Sequence, residues 1–136
     1  MPYNNYFYFN NLQMKSFAFA ALSGLALADS ASNHWAVIMA GSKNYGNYRH
    51  QADSHHAVKI MLENGIPRDQ IIHLAYDDIA YHVKNPLKGQ IFNAPSDGPG
   101  RNVYDQSEID YRGSQVTKDN FFKVLLGDTS APGPVL

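Results

Sequence analysis

The sequence predicts an α/β fold with a parallel βαβ core, because two apolar segments flank one segment of helical periodicity. Residues 35–40 form a continuous apolar run ended by Gly41 and Ser42, which is typical of a strand buried on both faces. Residues 70–76 form a second strand-like segment. The intervening helical segment is long enough for the right-handed crossover that joins parallel strands.

The first 28 residues are predicted to be a leader followed by a secretory signal peptide. Lys15 supplies the positive charge, residues 17–27 supply the apolar stretch, and Ala26-Leu27-Ala28 is a small-x-small cleavage pattern. The stretch is too short for an ordinary membrane span, and a buried helix is the alternative interpretation. We expect cleavage after Ala28, entry into the secretory pathway and no membrane span in the mature chain.

Charge and cysteine content narrow the class of protein. The net charge of −1 gives no basic excess for nucleic acid. The 136 residues contain no cysteine, which excludes a disulfide scaffold and a thiol nucleophile within them. No dinucleotide, phosphate-loop or Gly-x-Ser-x-Gly motif occurs, so no cofactor is expected.

The first helix is predicted over residues 48–64, with Gly65 and Pro67 marking its end. Its apolar face is predicted to comprise Ala57, Ile60, Met61 and Asn64, with Val58 and Leu62 beside them. Residues 85–101 are rich in Pro, Gly and Asn and predict a loop, with a short hairpin through residues 91–92 and 103–104.

A second helix is predicted after Thr117, which is a good N-cap residue. Phe121, Val124 and Leu125 share one face, and Gly127 is a helix-stop signal. Residues 129–136 show no periodic pattern and are predicted to be an irregular tail. An α/β alternation would continue with a further strand, so we expect an incomplete domain.

A polar cluster follows the first predicted strand and opens the first helix: Asn47-Tyr48-Arg49-His50-Gln51-Ala52-Asp53. This is the carboxyl edge of the predicted sheet, where α/β proteins usually build their sites. Asp77 and Asp78 follow the second strand and are expected to be neighbours of the cluster. A turn with hydrogen bonds to backbone is expected for these two carboxylates, and a cation site is the alternative.

Three residues of this cluster are candidate site residues. Arg49 offers a planar set of donors to a carboxylate or carboxamide oxygen, and His50 can donate or accept near neutral pH. Asn47 can accept from an imidazole N–H and orient a histidine elsewhere, as in a Cys-His-Asn arrangement. The alternative is a plain helix N-terminus with Asn47 as its cap.

The remaining histidines do not predict a metal site. His50, Asp53 and His56 are spaced three residues apart, so their side chains drift around a helix rather than converge, and His55 adds no His-Glu-x-x-His pattern. We expect these side chains to be solvated or packed, and His73 to be a hydrogen-bonded core residue.

Several blocks of this sequence, in order, resemble the start of the legumain (asparaginyl endopeptidase) family. The resemblance covers about residues 34–128, and Asn-Tyr-Arg-His is specific because the other blocks are in register with it. The blocks are His34-Trp35-Ala36-Val37-Ile38, Ala40-Gly41-Ser42, Asn47 to Asp53, Asn64-Gly65-Ile66-Pro67 with Gln70-Ile71, Tyr76-Asp77-Asp78-Ile79-Ala80, Asn85-Pro86 with Gly89, Val103-Tyr104, Asp110-Tyr111 and Val116-Thr117 with Asn120-Phe121.

The resemblance implies a caspase-like α/β fold, with residues 29–128 as the N-terminal part of the catalytic domain. It implies a cysteine-type endopeptidase of the lysosomal, vacuolar or secretory system that cuts peptide and protein substrates after asparagine. By position, Asn47 would orient the catalytic histidine, and Arg49 and His50 would line the pocket for the substrate asparagine.

The two reactive residues of the legumain family, a histidine and a cysteine, do not occur in their family contexts in this sequence. Its catalytic histidine stands in a His-Gly context and its cysteine in a Glu-Ala-Cys context, and neither occurs here. We therefore expect a truncated, inactive chain. The alternatives are a fragment of the catalytic subunit of the GPI-anchor transamidase, which shares Asn-Tyr-Arg-His, and a non-catalytic secreted fragment. Gln51-Ala52-Asp53 and Tyr76-Asp77-Asp78-Ile79 favour legumain.

Overall fold

A strand, a helix and a second strand form the centre of the structure, a computed structural model that describes residues 34–94 and 100–136. The predicted leader and signal peptide lie outside these residues. The elements in order are β1 (Ala36–Ala40), α1 (Tyr48–Glu63), β2 (Ile71–Ala75), β3 (Phe92–Asn93), β4 (Arg101–Asn102) and α2 (Lys118–Leu125), with single 3₁₀ turns at Tyr45–Asn47, Arg68–Gln70, Gln106–Glu108 and Gly113–Gln115.

The two strands β1 and β2 pair in parallel, with Ala36 opposite Ile71 and Ala40 opposite Ala75. This confirms the predicted parallel βαβ core. All five residues of β2 are buried, whereas Ala40 is the only buried residue of β1. The expectation that β1 is buried on both faces is therefore wrong for the described residues, which cover β1 less completely than β2.

A third extended segment lies on the other side of β2, and the sequence did not predict it. The backbone N–H groups of Asp110 and Tyr111 donate to the carbonyl of His73 at 2.9 and 3.1 Å, and Ala75 donates to the carbonyl of Tyr111 at 3.0 Å. The Asp110 carboxylate also accepts from the backbone N–H of His73 at 2.8 Å. These bonds place β2 between β1 and this segment.

The buried face of α1 differs from the predicted one. It lies in the first half of the helix, and Ile60 is 40% exposed. Several polar side chains are buried in this half of the helix. A pattern of apolar residues alone does not predict the burial of polar ones. The buried residues are Gln51, Ala52, Ser54, His55 and Val58. The helix ends at Glu63, followed by Gly65 with φ +85°, as the stop signal predicted.

Two apolar clusters hold these elements together. One joins α1 to the hairpin region and comprises Ala52, Ile79, Ala80, Ile91 and Val103. The other joins the sheet to α2 and comprises Ile72, Leu74, Tyr111 and Val124. The hairpin is confirmed, since β3 and β4 pair antiparallel with Phe92 opposite Asn102.

The α2 helix begins as predicted, because the Thr117 hydroxyl accepts from the backbone N–H of Asn120 at 3.1 Å. Val124 is buried but Leu125 is 42% exposed, so the apolar face is narrower than expected. The irregular residues 129–136 pack against α2 and against the segment that contains Tyr111. Tyr111 donates its hydroxyl to the carbonyl of Pro134 at 2.7 Å, and Leu136 donates to the carbonyl of Val124 at 3.1 Å.

Candidate active site

The loops that follow β1 and β2 meet at the carboxyl edge of the sheet, as the sequence predicted. The Asp78 carboxylate accepts two hydrogen bonds of 2.6 Å, one from the backbone N–H of Asn44 and one from the side-chain amide of Gln51. The expected hydrogen bond to backbone is confirmed for Asp78, but it comes from the loop after β1, and residues 77–78 do not themselves form a turn. The candidate site residues lie in the segment between Asn44 and Gln51.

Asn47 stands at the N-terminus of α1. It occupies the N-cap position, as the alternative interpretation expects, but its side chain makes no cap hydrogen bond. Instead, Nδ2 donates to the carbonyl of Lys43 at 2.9 Å, and the backbone N–H donates to the carbonyl of Asn44 at 2.9 Å. Within the described residues, Oδ1 accepts no hydrogen bond, so it is available to an external N–H donor.

Arg49 is exposed on the first turn of α1. Its one side-chain hydrogen bond to the part of the chain that the structure describes is a long contact of 3.4 Å from Nη1 to the carbonyl of Gly46. No carboxylate of the described residues forms an ion pair with it. Most of the guanidinium donors are therefore open to a ligand, and a carboxamide or carboxylate oxygen fits them.

His50 lies on the wall of an open cavity of about 570 Å³. Its Nδ1 is 2.7 Å from the Ser42 hydroxyl, which fixes the orientation of the ring. The cavity is lined by Ile38, Met39, Ala40, Gly41, Ser42, His50, Asp53 and Ser54. His50 thus faces this cavity, whereas Asn47 and Arg49 are not part of its lining.

The structure adds Ser42, Asp53 and Ser54 to the surroundings of His50, none of which was predicted as a site residue. Asp53 is exposed, and its carboxylate accepts from the side chain of Asn93 at 2.8 Å. No group of three or more His, Asp or Glu side chains in the described ranges 34–94 and 100–136 could hold a metal ion. No helix in those ranges is long and apolar enough to cross a membrane.

Two buried histidines lie beneath this edge. His73 is hydrogen-bonded to the carbonyl of Glu108 at 3.2 Å and to the Ser54 hydroxyl at 3.1 Å, which confirms it as a hydrogen-bonded core residue. The His55 ring is 4.9 Å from the His73 ring, and neither His55 nitrogen has a partner in the described part of the chain. Burial lowers the pKa of His73 to about 4 and that of His55 to about 3.

Asp77 is held by a second polar contact that sequence reasoning missed. Its carboxylate accepts from the Tyr104 hydroxyl at 2.9 Å and lies 3.7 Å from the Arg112 guanidinium. Burial, followed by the bond to Asp77, raises the pKa of Tyr104, which keeps the phenol protonated as a donor. These contacts hold the backbone of Asp77 at φ +61°, a backbone conformation that residues other than glycine rarely adopt.

Comparison with known proteins gives a consistent relationship. The sequence matches the peptidase C13 family over residues 34–136. It is 49% identical over 107 residues to the hemoglobinase of Schistosoma mansoni. This match covers 79% of this chain and 24% of that protein.

Two further relatives agree over nearly the same residues. Human (Homo sapiens) legumain is 48% identical over 103 residues, covering 76% of this chain and 23% of legumain. The vacuolar-processing enzyme beta-isozyme of Arabidopsis thaliana is 48% identical over 103 residues, covering 76% of this chain and 21% of that enzyme. The chain therefore spans about a quarter or less of the length of these relatives.

Proposed function

The chain belongs to the peptidase C13 family, and on that premise we propose that it supplies the N-terminal part of the catalytic domain of a legumain-like cysteine endopeptidase. The reaction is hydrolysis of peptide bonds after asparagine in peptide or protein substrates. The observation that carries this proposal is the state of Asn47. Its Nδ2 is fixed by the carbonyl of Lys43 while Oδ1 is open, which suits an amide that orients an imidazole N–H.

The proposed roles of the other two residues follow from their surroundings. Arg49 presents open, planar donors that can hold the carboxamide oxygen of a substrate asparagine. His50 lines the 570 Å³ cavity with its ring fixed by Ser42. Together they set the preference for the residue before the cut, while Asn47 acts on the chemical step.

We propose that the nucleophile and the catalytic histidine are supplied by residues outside this sequence. The 136 residues contain no cysteine, and the thiolate is the attacking species in cysteine-protease chemistry. These 136 residues are therefore inactive on their own. Proposed residence is the secretory pathway leading to a lysosome, a vacuole or the cell exterior, supported by the vacuolar-processing enzymes among the relatives.

The test has two arms. The transcript is sequenced beyond the codon of Leu136, and an in-frame His-Gly and Glu-Ala-Cys are expected. The full-length product and the 136-residue chain are then assayed on an Asn-containing peptide at acid pH. We expect turnover from the first, blocked by a cysteine-directed inhibitor, and none from the second. A full-length product that cuts elsewhere, or an active 136-residue chain free of contaminants, would contradict the proposal.

A further inference from the structure

We infer that Asp78 is a positioning residue for the candidate active site, because its one carboxylate holds both ends of the segment that carries Asn47, Arg49 and His50. The inference rests on the proposed function for its effect on turnover. Its structural part, the fixing of this segment, stands on contacts within the described residues alone.

The two hydrogen bonds of Asp78 enclose the site segment. Oδ2 accepts from the backbone N–H of Asn44, three residues before Asn47, and Oδ1 accepts from the amide of Gln51, directly after His50. Both distances are 2.6 Å, which is short for charge-assisted bonds. Gln51 is fully buried, and its Oε1 has no partner in the described part of the chain. Within that part, the bond to Asp78 is therefore the one hydrogen bond of the Gln51 side chain.

Asn44 needs such an anchor because its backbone is strained. It adopts φ +73° and ψ 151°, a region that is close to glycine-only. A strained residue keeps such a conformation only when its surroundings impose it. The carbonyl of Asn44 accepts from the backbone N–H of Asn47 at 2.9 Å, so the position of Asn44 is transmitted directly to Asn47.

Asp78 is itself held rigidly, as a positioning residue must be. The preceding Asp77 is fixed by Tyr104 and Arg112. The following Ile79 and Ala80 are fully buried in the cluster beneath the hairpin. The carboxylate is therefore a fixed point on the β2 loop, and the β1 loop is tied to it.

This geometry predicts an effect on turnover more than on substrate binding. Asn47 depends on Asn44, whereas Arg49 and His50 belong to a helix that Ala52 and Val58 anchor in the core. A displacement of about 1 Å in a catalytic group costs on the order of 10²-fold in rate. Release of Asn44 should therefore lower kcat and leave KM and the preference for asparagine nearly unchanged.

The experiment uses the full-length enzyme carrying Asp78→Asn, with kcat counted per active site by titration with a cysteine-directed inhibitor. This counting removes any effect of a smaller folded fraction. We expect kcat to fall about 10- to 100-fold, with KM within about threefold. The control is Asp69→Asn, which makes the same charge change at an exposed residue before β2 and should leave both constants unchanged.

Two further variants keep the inference open to refutation. In the Asp78→Asn background, Asn44→Gly removes the strain at φ +73° and should restore part of the lost kcat. If Asp78→Asn does not fold, Gln51→Met removes at similar volume the bond that fixes Oδ1 of Asp78. The freed carboxylate should then hold Asn44 less firmly, so kcat should fall several-fold. Unchanged kcat in the folded variant, or an equal fall in Asp69→Asn, overturns the inference.

Hydrogen exchange separates this inference from the proposed function. Asp78→Asn should speed exchange at the backbone amides of Asn44 and Asn47 about tenfold or more, while the amides of β2 stay protected. If the wild-type protein has no asparagine-directed peptidase activity, the proposed function fails, and exchange alone decides whether Asp78 fixes the segment. Unchanged exchange at these two amides overturns the inference whatever the activity.

Discussion

At the scale of single residues, the division of roles in the candidate site can be tested by substitution in the full-length enzyme. Arg49→Lys removes a planar pair of donors that an ammonium group cannot copy, so we expect roughly 10²-fold lower kcat/KM for asparagine substrates. His50→Ala should weaken the same preference. A peptide library measures it, and a wild-type profile and rate for Arg49→Lys would refute the assignment.

Asn47→Ala should act differently, because the role proposed for this side chain is to orient the catalytic histidine and not to bind the substrate. We expect kcat to fall by about 10²-fold, at the low end of what a general base contributes, with the preference for asparagine intact. The same library measures both quantities. A changed preference in Asn47→Ala would show that the residue lies in the specificity pocket instead.

The buried histidines predict how stability depends on pH. Their folded-state pKa values, about 3 for His55 and about 4 for His73, lie below the ordinary value of 6.5. The unfolded chain therefore binds protons more tightly, and folding stability is full above about pH 6.5 and falls as the pH drops toward 4 and then 3. In this window each histidine lowers the free energy of unfolding by up to about 1.4 kcal/mol for each unit by which the pH falls.

His55→Phe should reduce this dependence, since it keeps an aromatic ring against His73 and Tyr104 and removes a titrating group that has no hydrogen-bond partner among residues 34–94 and 100–136. Urea unfolding of the full-length protein at pH 7 and pH 4.5 measures the difference. His34→Gln, at an exposed position, is the control and should keep the wild-type dependence. An equal loss of stability in wild type and His55→Phe would contradict the prediction.

The place of Asn47, Arg49 and His50 after β1 was predictable, and so was the approach of the Asp77–Asp78 pair, because both require only the order of strand and helix. The roles of the three residues stay predictions that rest on the resemblance to legumains. The positive φ of Asn44 was not predicted, because its φ and ψ lie in a region that residues other than glycine rarely adopt. Of the two states expected for His55, solvated or packed, the structure shows the packed one, and an apolar-periodicity argument could not choose between them.

At the scale of elements, the two faces of α1 give a stability prediction. Val58 is fully buried and Ile60 is 40% exposed, although the apolar pattern places Ile60 on the core face. Val58→Ala should cost about 1–3 kcal/mol through lost burial and a residual cavity. Ile60→Ala should cost less than about 1 kcal/mol. Denaturant unfolding of both variants measures this, and a larger cost at Ile60 would mean that another surface covers it.

The elements themselves were largely predictable, and the exceptions have physical causes. The bounds of β1, α1 and β2 agree with the sequence pattern to within about one residue, because Gly41, Gly65 and Pro67 mark the ends. The face of α1 was not predictable, since tertiary packing buried the polar residues Gln51, Ser54 and His55. The segment beside β2 was missed because it pairs only at residues 110–111, too short for a periodic signal.

At the scale of the whole molecule, the outer edge of β1 predicts the behaviour of the isolated 136-residue chain. Within residues 34–94 and 100–136, β1 pairs only with β2, and Trp35, Phe122 and Leu126 are 50%, 57% and 81% exposed. An open strand edge beside exposed apolar side chains favours self-association. We expect aggregation or a broad melt in light scattering and calorimetry, whereas a monodisperse chain with one sharp transition would contradict this.

Processing of the N-terminus is a separate prediction for the whole molecule. The small-x-small pattern at residues 26–28 follows the apolar stretch directly, so a signal peptidase should cut after Ala28. N-terminal sequencing of secreted material should begin at Asp29. Mature protein that still carries residues 17–27 would show that this stretch is not a cleaved signal.

The register of β1 and β2 has a consequence for synthesis on the ribosome. Ala36 pairs with Ile71 and Ala40 with Ala75, so each β1 residue meets a partner made 35 residues later. At elongation rates of about 5–20 residues per second, that interval lasts roughly 2–7 s. During it β1 has no strand to pair with, while α1 can form locally within microseconds. For that interval the nascent chain carries an unpaired apolar strand, and we expect that strand to be the segment that a chaperone binds.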